Sequence, residues 1–354
     1  MATLKTNTYK SPTTGRQWSY LTTGPSDGPV MFFLHGWPGI ASTWKHQLVA
    51  FGGLGFSVVA PDMPGYGGTW TSKDPSEFAL EKLVPQFIEL LHDALGRRDA
   101  IWIGHDWGCG PLWAIASHHP EVCRGIVALS VPYRTLEMGL PTLLTLIDRQ
   151  VYPEDQYAYG QFSYQVFYER DPTVVDRQFE TDLPRTIKLI YAKGHPDVGR
   201  APSRLSLVAE QGGWFGGVDA AVPDVPLDRT VLDQEILDEL VAGAEKNGWH
   251  GATAWYLNHA ANEKYSREKS LDGGKLRMPV LFLHTEYDAV CQTVYNPKFA
   301  AEMREKVEDL SELVLKAGHW GALECPEDTN AGIAEWIVKR VRDSWPGPEV
   351  KSKM

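Results

Sequence analysis

The chain has 354 residues, of which 43% are hydrophobic and 22% charged, and a formal net charge of −11. That length can bury a large core, and the acidic balance, with no Lys/Arg cluster interleaved with aromatics, argues against nucleic acid or an anionic membrane surface as partner. No apolar run approaches the roughly 18 residues that a membrane helix needs.

From the N-terminus, MATLKTNTYK lacks the apolar centre of a secretory signal, and Cys109, Cys123, Cys291 and Cys325 are scattered without C-x-x-C spacing. Both features point to a reducing, cytoplasmic setting. QWSYLTT, VMFFLH, FSVVAP, AIWIGH and GIVALS are short apolar segments alternating with helix-like stretches, the pattern of a mostly parallel, doubly wound sheet with helices on both faces. HGWPG at 35–39 and PDMPGYGGT at 61–69 follow two of these strands; His35 and Pro38 read as turn-shaping residues, and the second loop is assigned no chemistry. SEFALEKLVPQFIELLHDALG predicts a helix with Phe78, Leu83, Phe87, Ile88 and Leu91 on one side and Gly96 at its stop, kinked or split by Pro85.

IWIGHDWGCG at 101–110 has the form of a nucleophile elbow, with Asp106 between Gly104 and Gly108. After Tyr133 the pattern turns helical and aromatic-rich, with a long irregular stretch from Gly194 to Thr230, and strand signals resume only at MPVLFLHTEYD. This predicts a core of residues 1–133 and 272–354 with a helical cap, 134–271, inserted into it. SELVLKAGHW and EDTNAGIAEWIVKRV supply a last strand and a closing helix. The 11 histidines contain no H-E-x-x-H pattern, His118 and His119 read as a surface pair on a helix, and no metal site is expected. The chain ends Ser352-Lys353-Met354, a near relative of a peroxisomal address.

Asp288 and His319 each follow a strand, so Asp106, Asp288, His319 have the chain order nucleophile, acid, histidine of the α/β-hydrolase triad. The backbone N–H groups of Trp37 and Trp107 are the expected oxyanion-hole donors. A serine must lose a proton before it attacks an acyl carbon, whereas a carboxylate is ionised near neutral pH and can displace a leaving group from saturated carbon. An aspartate at the elbow therefore points away from esterase chemistry.

With HGWP, DMPGYGGT, GHDWG, TEYD and GHW spanning almost its whole length, the chain resembles an epoxide hydrolase of the α/β-hydrolase superfamily. The resemblance implies two cap tyrosines, matched by Tyr164 in FSYQVFYERDP and Tyr256 in GWHGATAWYLN, with Tyr168, Tyr159 and Tyr157 as competitors for the first role. It implies no cofactor, a small apolar epoxide and water as partners, and a monomer or homodimer. Haloalkane dehalogenases share the elbow aspartate and the histidine by resemblance, so halide displacement is the alternative; a non-catalytic ligand-binding scaffold is the second. Trp214 and Phe215, flanked by glycines in the irregular cap stretch, are the expected substrate-binding residues.

Overall fold

A computed structural model describes residues 3–198 and 200–347; Ser352-Lys353-Met354 lies outside the described residues. Eight strands form one sheet: β1 (Lys5–Lys10), β2 (Gln17–Thr23), β3 (Val30–Leu34), β4 (Ser57–Pro61), β5 (Ala100–His105), β6 (Cys123–Leu129), β7 (Val280–Thr285) and β8 (Leu310–Leu315). Their spatial order is β1-β2-β4-β3-β5-β6-β7-β8; β2 runs antiparallel to β1 and β4, and the remaining pairs are parallel. Every residue of β3, β5 and β7 is buried, because helices cover both faces and leave no side for polar residues. Alternate residues enter opposite cores: Phe32 and Trp102 on the cap-bearing side, Phe33 and Ile103 on the other.

The edge strand β1, KTNTYK, is largely exposed and has no apolar run to announce it. Three core helices, α1 (Lys45–Gly53), α2 (Leu80–Glu89) and α3 (Cys109–His118), connect strands, and Pro326–Arg340 closes the chain. Pro85 does not split α2; the helix runs through it and widens into a π-turn at Leu90–Ala94. Pro85 is exposed, so water can satisfy the carbonyl that its missing N–H leaves unpaired. His118 is also not at the surface. It is buried at the end of α3, its ring edge-on to Tyr265 and its Nε2 bonded to Ser270 at 3.3 Å.

Between β6 and β7 the chain leaves the sheet as an inserted helical region, with helices including Ser163–Arg170, Pro172–Glu180, Leu183–Ile190, Gln234–Asn247 and His259–Lys269. It docks over the C-terminal ends of the parallel strands, where β5, β7 and β8 deliver the elbow, Asp288 and His319. No helix of the described residues is long and apolar enough to cross a membrane.

Phe32 stacks on Trp102 at 4.5 Å in the centre of the sheet with neither side chain exposed. Phe32→Ala is expected to cost about 3–5 kcal/mol of unfolding free energy, measured by urea denaturation; a loss below about 1 kcal/mol would mean that the core refills the space.

Candidate active site

The elbow lifts Asp106 out of the sheet. Its φ of +50° is one that L-residues rarely adopt, and the turn Asp106–Gly108 leads from β5 straight into α3. The crossing is tight: a Cβ on Gly108 would lie 2.2 Å from the Leu34 carbonyl oxygen, and one on Gly36 would lie 2.4 Å from the Asp106 Cβ. Glycine at both positions lets the HGWP loop close on the carboxylate, where the Trp37 backbone N–H donates to Asp106 Oδ1 at 2.6 Å. Among the described residues no such bond runs from the Trp107 N–H to this carboxylate in the resting geometry.

The other carboxylate oxygen, Oδ2, faces His319 Nε2 at 3.5 Å. His319 Nδ1 is 2.7 Å from Asp288 Oδ2, and Asp288 is fully buried, its Oδ1 accepting the backbone N–H groups of Val290 and Cys291 at 2.8 and 2.9 Å. The three residues expected from chain order thus meet. Burial raises the Asp288 pKa, but the His319 charge and these hydrogen bonds outweigh it and bring it down to about 2. Burial likewise disfavours a charged His319, yet Asp288 and Asp106 on either side raise its pKa to about 10. Asp288, Cys291 and His319 also form a group whose potential metal-ligating atoms lie within 4.8 Å of one another; the Asp288 and His319 atoms concerned are engaged in the triad bond.

Cap aromatics roof the carboxylate. Tyr164 and Tyr256 have ring centroids 5.7 Å apart, Tyr256 lies 5.6 Å from Trp37 and 5.0 Å from Trp107, and Gln165 donates to the Tyr164 hydroxyl at 3.0 Å. Burial first and the Asp106 charge among the further causes push both phenol pKa values well above the ordinary value near 10. Of the competing tyrosines, Tyr168 joins this cluster at 4.7 Å from Tyr256, with its buried hydroxyl unpaired. Tyr159 instead bonds Arg170, and Tyr157 packs on Tyr152. Trp214 sits against Trp37, Tyr164 and Tyr168 at 5.6–6.1 Å, whereas the ring contact of Phe215 is with Phe179, at 6.1 Å.

Several groups support the loops around the triad. His35 donates through Nδ1 to the Gly36 carbonyl at 2.9 Å and accepts the Met63 N–H through Nε2 at 2.8 Å, so its role is structural, as expected. His105 Nε2 donates to the His319 carbonyl at 2.7 Å; burial first and the His319 charge second lower its pKa to about 4, keeping it neutral. Tyr66, in the PGYGG loop that was assigned no chemistry, packs edge-on to His35 with a buried, unpaired hydroxyl. The motif adjacency of His105 to the elbow could have flagged it; Tyr66 becomes visible only when its loop folds back.

The family model described as alpha/beta hydrolase fold matches residues 29–326. Among curated proteins, the chain is 28% identical over 328 residues to pig (Sus scrofa) bifunctional epoxide hydrolase 2, covering 92% of this chain but 54% of that protein. It is 26% identical over 328 residues to epoxide hydrolase A of Mycobacterium tuberculosis, covering 92% and 95%. The chain therefore spans about half the length of the mammalian relatives it matches. A Vigna radiata epoxide hydrolase mutant superposes with a TM-score of 0.75 at 26% identity, covering 95% of this chain and 99% of that one. Epoxide hydrolase A from Mycobacterium thermoresistibile gives 0.74 at 26% identity, covering 95% and 98%.

Because two carboxylates hold the proton on His319, removing one must release it. Asp106→Asn is expected to bring the His319 pKa down from about 10, toward the ordinary value near 6.5, in an NMR titration of its ring. An unchanged titration would show that Asp106 does not share the cation.

Proposed function

The chain belongs to the alpha/beta hydrolase fold family, and from that premise we propose that it converts apolar epoxides to vicinal diols through an alkyl ester on Asp106. The observation that carries this reading is the geometry of Asp106: one oxygen is held by a backbone N–H and the other faces the histidine, while Tyr256 packs on Trp37 and Trp107 beside the carboxylate and Tyr164 packs on Tyr256.

Oδ2 has no backbone donor and is the attacking atom. It forms a bond to an epoxide carbon as the ring C–O bond breaks, and the alkoxide takes a proton from Tyr164 or Tyr256, whose raised pKa values keep both protonated in the resting site. Oδ1 becomes the ester carbonyl oxygen. Esterification cancels the Asp106 charge, so the imidazolium loses one of its two carboxylate partners, its pKa falls, and its proton passes to the phenolate that ring opening left. His319 then takes a proton from water, the hydroxide adds to the Asp106 Cγ, and the negative charge that develops on Oδ1 already has the Trp37 N–H against it; the Trp107 N–H is the second donor. Collapse breaks the bond from Cγ to the diol oxygen, which takes the proton of the carboxyl group so formed, and the carboxylate is restored. Esterification thus creates the base that removes the ester.

Trp214 forms part of the apolar wall over this site, with Phe215 behind it, in a cap that we take as residues 134–271. The four unpaired thiols suit a reducing, cytoplasmic compartment. A second reading has one specific observation behind it: the indole N–H groups of Trp37 and Trp107 are buried without acceptors, the kind of donor that a departing halide needs. Paired phenols have no task in that reaction. A non-catalytic scaffold would have no use for a complete triad.

His319→Ala is expected to form the ester and stall, its intact mass rising by the whole mass of styrene oxide with no water added. Tyr164→Phe combined with Tyr256→Phe is expected to form no adduct, each lost donor costing about 10- to 100-fold by analogy with other oxyanion donors. An unmodified His319→Ala protein beside an active wild type would refute direct attack, and full epoxide turnover by the double variant would move the proton donor elsewhere.

The two steps should also separate by pH. In single-turnover assays the acid limb of ester hydrolysis is expected well below pH 10, since the ester no longer carries the charge that raises His319 to about 10 in the free enzyme. Ring opening should continue below that limb, producing a burst of alkylation before slow turnover. The alkaline limb is expected above the ordinary phenol value near 10. An acid limb of hydrolysis near 10 would show that esterification does not release the imidazole.

A further inference from the structure

Cap residues 190–194 grip the core on both sides of His319. On one side, Gly194 and Gly318 meet backbone to backbone: a Cβ on Gly194 would lie 2.4 Å from the Gly318 Cα. A single carboxylate oxygen, Glu324 Oε2, accepts the N–H groups of both, Gly318 at 2.9 Å and Gly194 at 3.2 Å. On the other side, Trp320 donates its indole N–H to the Ile190 carbonyl at 3.0 Å and stacks on Tyr191 at 3.8 Å with 13° between the planes. The Tyr191 hydroxyl in turn donates to the Pro38 carbonyl, next to the oxyanion-hole residue Trp37.

This cap segment is not a free loop. Val231 donates to the Tyr191 carbonyl and Lys193 to the Arg229 carbonyl, both at 3.0 Å, and Ala192 bridges Thr230. The residues before and after His319 are therefore fastened to an ordered part of the cap, with Glu324 as the charged fastener. Charge-assisted bonds to backbone N–H groups are stronger than neutral ones, and a half-buried Glu324 shields them in part from water.

We propose that Glu324 is a positioning residue for His319: by joining the Gly318 and Gly194 N–H groups it holds the histidine loop against the cap, and it serves the hydrolytic half of the reaction rather than ring opening. The inference rests on the two-step reaction proposed above. In that reaction the imidazole has no part in breaking the epoxide, but it must hold water in line with the Asp106 Cγ. His319 Nε2 stands 3.5 Å from Asp106 Oδ2, a gap with little tolerance for drift of its loop.

The test is single-turnover kinetics with styrene oxide, following adduct formation and decay by intact mass. In Glu324→Ala, and in Glu324→Asp, which keeps the charge but shortens the reach, alkylation is expected to stay within about threefold of wild type, while ester hydrolysis slows on the order of 10- to 100-fold, as for small displacements of a catalytic group. The alkyl-enzyme should accumulate in the steady state. Glu324→Gln, whose amide oxygen can accept the same two N–H groups through weaker neutral bonds, is expected to recover part of the hydrolysis rate, between alanine and wild type. Unchanged hydrolysis in the alanine and aspartate variants, or a parallel fall of both steps, would overturn the proposal. A wild type that makes diol without any adduct would instead overturn the two-step reaction itself.

Discussion

His319 stands between Asp288 at 2.7 Å and Asp106 at 3.5 Å, so one cation balances two carboxylates where little water can help. Taking carboxylates out of water costs several kcal/mol each unless they are paired or hydrogen-bonded. The two solve this differently. Asp288 is wholly buried and saturated by two backbone N–H groups and the imidazole, so it stays ionised and has no remaining capacity to react. Asp106 keeps a small exposure and one oxygen without a backbone donor. Chemically identical groups thereby become an orienting acid and a nucleophile.

The aromatic roof follows from the same balance. Rings from the cap exclude water above Asp106, which strengthens the charge interactions beneath and pushes the phenols toward their protonated form. Several polar atoms in this shell are buried without partners, among them the indole N–H groups of Trp37 and Trp107 and the hydroxyls of Tyr66 and Tyr168. Each such group costs about 1–3 kcal/mol if nothing bonds to it. A buried polar group without a partner calls for an explanation, and these four gather around one carboxylate.

The cap is more than a lid, because its segment 190–194 touches both the histidine loop and the HGWP loop. Core and cap thus share the job of holding the reacting groups. That sharing places the tyrosines and the histidine in one mechanical frame, although the proposed reaction uses them in different steps.

Elements with a physical signature in one dimension were legible in the sequence. The central strands are apolar throughout because both faces are covered, so β3 to β7 could be named in advance, as could β2 and β8 from their shorter apolar segments; the elbow requires glycines at fixed offsets around one outward residue, which marked Asp106, and Asp288 and His319 each follow a strand. β1 could not, since a solvated edge strand needs no apolar run, and His118 was misread because its burial depends on Tyr265 and Ser270, far away in sequence. Tyr157, Tyr159, Tyr164 and Tyr168 look alike in the sequence; only the docking of the cap brings Tyr164 and Tyr168 beside Tyr256 and leaves the other two outside. The sequence by itself determined the fold class, the chain order of Asp106, Asp288 and His319 and the presence of a carboxylate at the elbow, because these rest on local backbone geometry and burial pattern. Only the tertiary structure decided the raised pKa of His319, the oxygen of Asp106 that lacks a backbone donor and the union of Gly194 with Gly318, because distances between segments far apart in the chain set all three.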